Sequence, residues 1–240
     1  MAYRDSAPES TRPVVFLIHG SPGDGAILGR LSGLISPNFR VILPDLPGFG
    51  GSTHNLPDYS FVAHARYMAA MMEQLKIRRA QFVGFSMGGG VILSLQNLTP
   101  QRVQSLVLLS AIGDQQFEMT GNYHLNHAIH GLQLGALWLI YNVTPHFGLL
   151  DQVIFDVPYA RNFYDSDQRP LRGILEKYRG PLLILHGSRD PLVDARAAEE
   201  HHRLVPGSKL VMYDDDHFMS FLHPEALTVP LNEFLLTNAQ

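Results

Sequence analysis

The chain has 240 residues, 45% of them hydrophobic and 17% charged, with a formal net charge of -4. That is enough apolar material for one substantial core, read as a single domain with room for an inserted subdomain. There is no basic excess to neutralise a phosphate backbone, so nucleic acid is not an expected partner. The absence of cysteine excludes disulfides, thiolate chemistry and cysteine-based zinc sites.

Residues 1–13 are polar, carry both charge signs and contain no apolar core segment, so no secretory signal is expected and the chain reads as soluble and cytoplasmic. Short β-rich runs follow at 14–18, 40–44, 81–85, 103–110, 181–186 and 209–213. Most are continuously apolar, as strands covered on both faces are. Between them, helical spacing covers 61–75, 87–98, 194–205 and 224–236. The alternation predicts an α/β protein with a mainly parallel sheet and helices on both sides, whose ligands bind at the carboxyl edge of the strands.

The interval 112–179 contains no convincing strand and is rich in Tyr, His, Phe and Leu, with helical pieces at 125–141 and 169–178. It is expected to be a helical cap inserted into a core formed by 1–111 and 180–240. Its longest apolar stretch, 132–143, is broken by Gln133, Gly135 and Asn142 and falls short of the roughly 20 residues a membrane span requires.

The sharpest local signal is Gly84-Phe85-Ser86-Met87-Gly88, between an expected strand and an expected helix. This G-x-S-x-G context lifts a serine hydroxyl above the sheet on a crowded turn that tolerates little besides glycine at its flanks. The helix that follows points its positive end at the place where an oxyanion would form.

Three further segments fit the same chemistry. His19-Gly20-Ser21-Pro22-Gly23, after the first apolar strand, can aim the Ser21 amide at the same point as the Met87 amide, with His19 structural. Asp190 lies just after the run at 181–186, and His217 just after 209–213. The chain order Ser, Asp, His separates this arrangement from the other serine-protease orders.

With these segments the chain resembles the α/β-hydrolase family from about residue 13 to residue 234, and Asp45-Leu46-Pro47-Gly48-Phe49-Gly50-Gly51-Ser52 resembles a loop of that family. Within it, the elbow is similar to those of bacterial esterases, of the perhydrolases known as cofactor-free haloperoxidases, and of carbon-carbon bond hydrolases. The resemblance implies Ser86 as nucleophile, His217 as base, Asp190 as acid, and the Ser21 and Met87 amides as oxyanion hole. One departure is that Asp214, Asp215 and Asp216 precede His217 where the family often has glycine. They read as a solvated turn, and Asp216 or Asp114 is a rival to Asp190.

The expected reaction is hydrolysis of a small or medium, largely uncharged carboxylic ester through an acyl-enzyme, with no metal or organic cofactor. Serine at position 86 argues against haloalkane dehalogenase or epoxide hydrolase chemistry, whose family members place Asp there. One alternative is carbon-carbon hydrolysis of a vinylogous diketone, with Arg161 or Arg172 holding the substrate carboxylate. The other is a non-catalytic small-molecule receptor on the same fold.

His124, His127 and His130 recur at three-residue spacing, yet no carboxylate completes a metal set beside them in the sequence, and they read as a polar helix face. His201, His202 and His223 read as surface or helix-end residues. Leu134, Leu137, Trp138, Tyr141 and Phe147 can form an apolar acyl pocket or pack between cap and core.

Overall fold

Alternate residues of the apolar runs at 14–18, 40–44, 80–85, 103–109 and 182–187 face opposite ways, and both sets are mostly buried. In the computed structural model, which describes residues 1–35, 37–145 and 157–239, the runs lie in one seven-stranded sheet. The strands are β1 (Tyr3–Asp5), β2 (Val14–Ile18), β3 (Arg40–Pro44), β4 (Ala80–Phe85), β5 (Val103–Leu109), β6 (Leu182–Gly187) and β7 (Lys209–Tyr213), in the spatial order β1-β3-β2-β4-β5-β6-β7. All neighbours pair in parallel except β1, which runs antiparallel to β3.

The described helices are α1 (Gly29–Ile35), α2 (Phe61–Gln74), α3 (Met87–Leu98), α4 (Tyr123–Val143), α5 (Val157–Asp165), α6 (Arg169–Lys177), α7 (Ala195–Leu204), α8 (Met219–Leu222) and α9 (Glu225–Thr237). Phe16, Phe82, Leu106 and Ile184 pack on one face of the sheet with α2, α3, α6 and Ala198 of α7. Leu17, Val83, Val107 and Leu183 pack on the other with Leu31 of α1, Met219 of α8 and Leu231 of α9. Each such side chain, once fully buried, contributes roughly 1.5–3 kcal/mol by leaving water.

Helix α8 and three further elements were not expected from the sequence, and contacts explain those three. The polar run Tyr3–Asp5 is a strand because Arg40 clamps Asp5 with Nη2 at 2.6 Å and Nε at 3.0 Å, both side chains mostly buried. Helix α1 was not expected because Gly29, Ser32 and Gly33 weaken its propensity; Leu31 and Ile35 anchor it in the core instead. Helix α5 is fastened by polar contacts to a residue distant in sequence, Asn162 Nδ2 donating to the Tyr59 carbonyl at 2.8 Å and Asp165 accepting from the Tyr59 amide at 2.9 Å. The fifth strand ends at Leu109 because Ser110, at φ 43°, turns the chain. No strand occurs in 112–179 among the described residues, and no described helix is long and apolar enough to cross a membrane.

Candidate active site

Ser86 stands between the last residue of β4 and the first of α3 with φ 53° and ψ -119°, a conformation L side chains rarely adopt. It is held through its main chain: the amide donates to the Leu109 carbonyl at 3.0 Å, and the carbonyl accepts from Gly89 at 3.0 Å and Ile112 at 3.2 Å. The flanking glycines answer to crowding. A Cβ on Gly84 would lie 2.6 Å from the Gly88 oxygen, and one on Gly88 would lie 2.5 Å from the Ile18 oxygen.

Asp190 and His217 come together at the ends of the neighbouring strands β6 and β7. His217 Nδ1 donates to Asp190 Oδ2 at 2.7 Å, while Asp190 Oδ1 accepts from the Leu192 and Val193 amides at 2.8 Å each. The carboxylate is fully buried, and three donors compensate its loss of water. His186 lies beneath it with Nε2 3.4 Å from Asp190 Oδ2 and 3.0 Å from the Val193 carbonyl. That carbonyl can only accept, so His186 carries its proton on Nε2. Burial holds the His186 pKa below its ordinary value, so the ring stays neutral.

The two loops are stitched together by main chain: Ser188 donates to the Tyr213 carbonyl at 2.7 Å and Arg189 to the Asp215 carbonyl at 3.0 Å. Only glycine fits at 187, where a Cβ would meet the Asp215 oxygen at 2.5 Å. The His217 ring packs on Phe85, the residue before Ser86, with centroids 5.0 Å apart.

The rivals to Asp190 are engaged elsewhere. Asp216 accepts from the Phe218 amide at 2.8 Å, and Asp114 pairs with Arg172 Nη1 at 2.6 Å. The acidic run is largely a turn: Asp214 is exposed and pairs with Arg189, while Asp215, mostly covered, pairs with His223.

On the opposite side, Leu46 donates its amide to His19 Nε2 at 2.9 Å, which leaves the proton on Nδ1, 2.6 Å from the Gly20 carbonyl. His19 is fully buried, and its desolvation lowers its pKa, so a neutral ring braces the loop that carries Ser21. Ser21, Ser86 and Met87 all line one cavity of about 280 Å³. Its apolar wall includes Ile112, Phe117, Phe163, Leu192 and Val193; its polar wall includes Asp114, Glu118, His130, Gln133 and Gln168.

This lining corrects several expectations. Leu134, Trp138 and Tyr141 line a different cavity together with Arg161; neither they nor Leu137 line the one beside Ser86, and Phe147 lies outside the described residues. Arg161 pairs with Asp165, and Arg172 is shared by Asp114, Glu176 and Glu200, so neither reaches the Ser86 cavity. His130 pairs with a carboxylate from outside its helix, Glu118, 3.4 Å from its Nε2. His127 stacks on Tyr164 with centroids 4.3 Å apart, and His124 meets Tyr123 edge-on. His201 is a helix-end residue, in the last turn of α7, but it is fully buried, and neither ring nitrogen finds a hydrogen-bond partner among the described residues. The sequence carried no signal for Glu118, which is 12 residues from His130 and on no shared helix face. Leu192 and Val193 were within reach of inference because they directly follow Asp190.

A mostly parallel seven-stranded sheet with the candidate side chains Ser86, Asp190 and His217 after β4, β6 and β7 is the architecture of the α/β-hydrolase fold. A family model described as alpha/beta hydrolase fold matches residues 13–130, and the chain has the α/β-hydrolase fold. It is 28% identical to a pimeloyl-[acyl-carrier protein] methyl ester esterase of Neisseria meningitidis, with 97% of this chain and 96% of the relative covered. The structure superposes on that of a thermophilic esterase from Thermogutta terrifontis with a TM-score of 0.81 at 22% identity, covering 100% of this chain and 94% of the other. It also superposes on a meta-cleavage product hydrolase from Pseudomonas fluorescens, with a TM-score of 0.74 at 21% identity over 98% and 93% of the two chains.

Proposed function

We propose that the protein is a serine hydrolase of small to medium, uncharged carboxylic esters, acting through an acyl-enzyme on Ser86. The observation that carries this reading is the buried Asp190–His217 pair, 2.7 Å apart and packed on Phe85, beside a serine raised on a strained turn that opens into a cavity.

In this mechanism Ser86 Oγ attacks the ester carbonyl as His217 takes its proton, and Asp190 engages the ring at Nδ1, which leaves Nε2 as the nitrogen that accepts. The negative oxygen of the tetrahedral intermediate accepts from the amides of Ser21 and Met87, helped by the N-terminal end of α3. His217 returns the proton to the departing alcohol, then activates the water that frees the acid. The segment 112–179 acts as a cap, supplying Phe117, Glu118, His130 and Phe163 to the cavity wall. A neutral substrate is favoured over the carboxylated substrate of a carbon-carbon hydrolase because no Arg or Lys lines this cavity among the described residues.

The test is fluorophosphonate labelling mapped by mass spectrometry, followed by a chain-length series of p-nitrophenyl esters. Label on Ser86 with ester turnover is the expected result. Binding of esters without labelling or turnover would point to a receptor, and turnover retained in Ser86→Ala would overturn the mechanism.

A further inference from the structure

The polar wall of the Ser86 cavity performs no step of the proposed chemistry, yet it is built with care. Glu118 is mostly buried; its Oε2 accepts from Gln115 Nε2 at 2.5 Å and Asn126 Nδ2 at 3.2 Å, and its Oε1 faces His130 Nε2 at 3.4 Å. The Asn126 amide group also donates to the Glu118 carbonyl at 2.7 Å, and Asn126 Oδ1 accepts from the Thr120 amide at 3.1 Å. The carboxylate is thus fixed against the first turns of α4 and cannot swing away from an incoming group. His130 presents its other nitrogen to Gln133 Oε1 at 3.1 Å and stacks on Phe163.

We infer that Glu118 and His130 are specificity-determining residues of this cavity, selecting esters whose non-reacting end is uncharged and rejecting those that carry a carboxylate there. The inference rests on the reading of the cavity as an ester site. Two carboxylates, Glu118 and Asp114, line the cavity, and Arg172 compensates Asp114 from outside it. His130 is the one lining group able to carry a positive charge among the described residues, and Glu118 already engages it. A substrate carboxylate would therefore meet like charge in a partly desolvated space with no cation left to receive it. An uncharged oxygen or amide would meet the Gln133 and Gln168 side chains, which can donate or accept. Hydrogen bonds from His130, Gln115 and Asn126 outweigh the effect of burial and keep Glu118 ionised below the ordinary range, so the negative charge is present throughout the working range of pH.

The experiment compares a matched pair of probes, the monomethyl ester of glutaric acid and its near-isosteric carboxamide, by ligand-detected NMR titration of the Ser86→Ala protein at neutral pH. The carboxamide should bind at least about tenfold more tightly. In Ser86→Ala/Glu118→Gln the gap should shrink to about threefold, the remainder reflecting Asp114. Equal affinities, a gap unchanged by Glu118→Gln, or no binding by either probe would overturn the inference. Should Glu118→Gln fail to fold, Ser86→Ala/His130→Gln leaves Glu118 uncompensated and must widen the gap; an unchanged gap there also overturns it. No turnover is involved, so charge selection found without ester hydrolysis would refute only the proposed function, and hydrolysis found without charge selection only this inference.

Discussion

The role of each candidate side chain depends on what its neighbours leave it free to do. Ser86→Ala should lower kcat on the best ester of the series by at least about 10³-fold with KM little changed, since the side chain bears no structural load. Asp190→Asn can keep the bonds from Leu192 and Val193 but sets an amide N–H against His217 Nδ1, forcing the wrong tautomer. Its kcat should fall on the order of 10³- to 10⁴-fold, measured by steady-state kinetics. Asp216→Asn, which caps the Phe218 amide equally well, should leave kcat within about threefold; a larger loss would restore Asp216 as a rival acid. The candidate trio was legible because each member directly follows a run that alternates or stays apolar in sequence. Glu118 was not, because side-chain bonds to Asn126 and Gln115, with no periodicity, bring it to the cavity.

At the level of elements, close approach between backbones decides what the turns tolerate. Gly187→Ala would drive a Cβ into the Asp215 oxygen at 2.5 Å and the Asp216 oxygen at 2.7 Å, parting the loops that carry Asp190 and His217. It should cost about 1–3 kcal/mol in urea unfolding and lower kcat at least about tenfold, because the damage falls on catalytic geometry as well as on packing. The main strands were readable since both of their faces are buried and their residues say so. Strand β1 and helix α5 were hidden because what fixes them is polar and distant in sequence: Arg40 on Asp5, and Tyr59 on Asn162 and Asp165. The interval 112–179 was readable as strandless, while the side chains it gives to the cavity were not. Its most apolar stretch, around Trp138, faces away from Ser86.

For the whole molecule, two buried histidines make stability depend on acid. Desolvation lowers the His201 pKa to about 3 and the His64 pKa to about 4, against 6.5 for an unperturbed ring. The unfolded chain therefore binds protons that the fold refuses, and stability falls as pH drops below about 6.5 until the folded values are reached. Above that range these two groups contribute no pH dependence. Between about pH 7 and pH 5 the two together should remove about 4 kcal/mol, read from urea unfolding at each pH. His19 and His186, also lowered by burial, add to the measured loss in the same direction, so His201→Leu should reduce it by about 2 kcal/mol, and an undiminished loss would show that other groups drive it.

The grip on residue 86 has a consequence for how such a scaffold changes over evolutionary time. Leu109, Gly89 and Ile112 all hold this position by its peptide groups, and nothing in that grip consults the side chain. The turn is in effect a socket, and what is plugged into it can be exchanged while the frame stays put. A lineage built on this chain can therefore trade one side chain for another at this position by a single codon while these main-chain bonds stay in place.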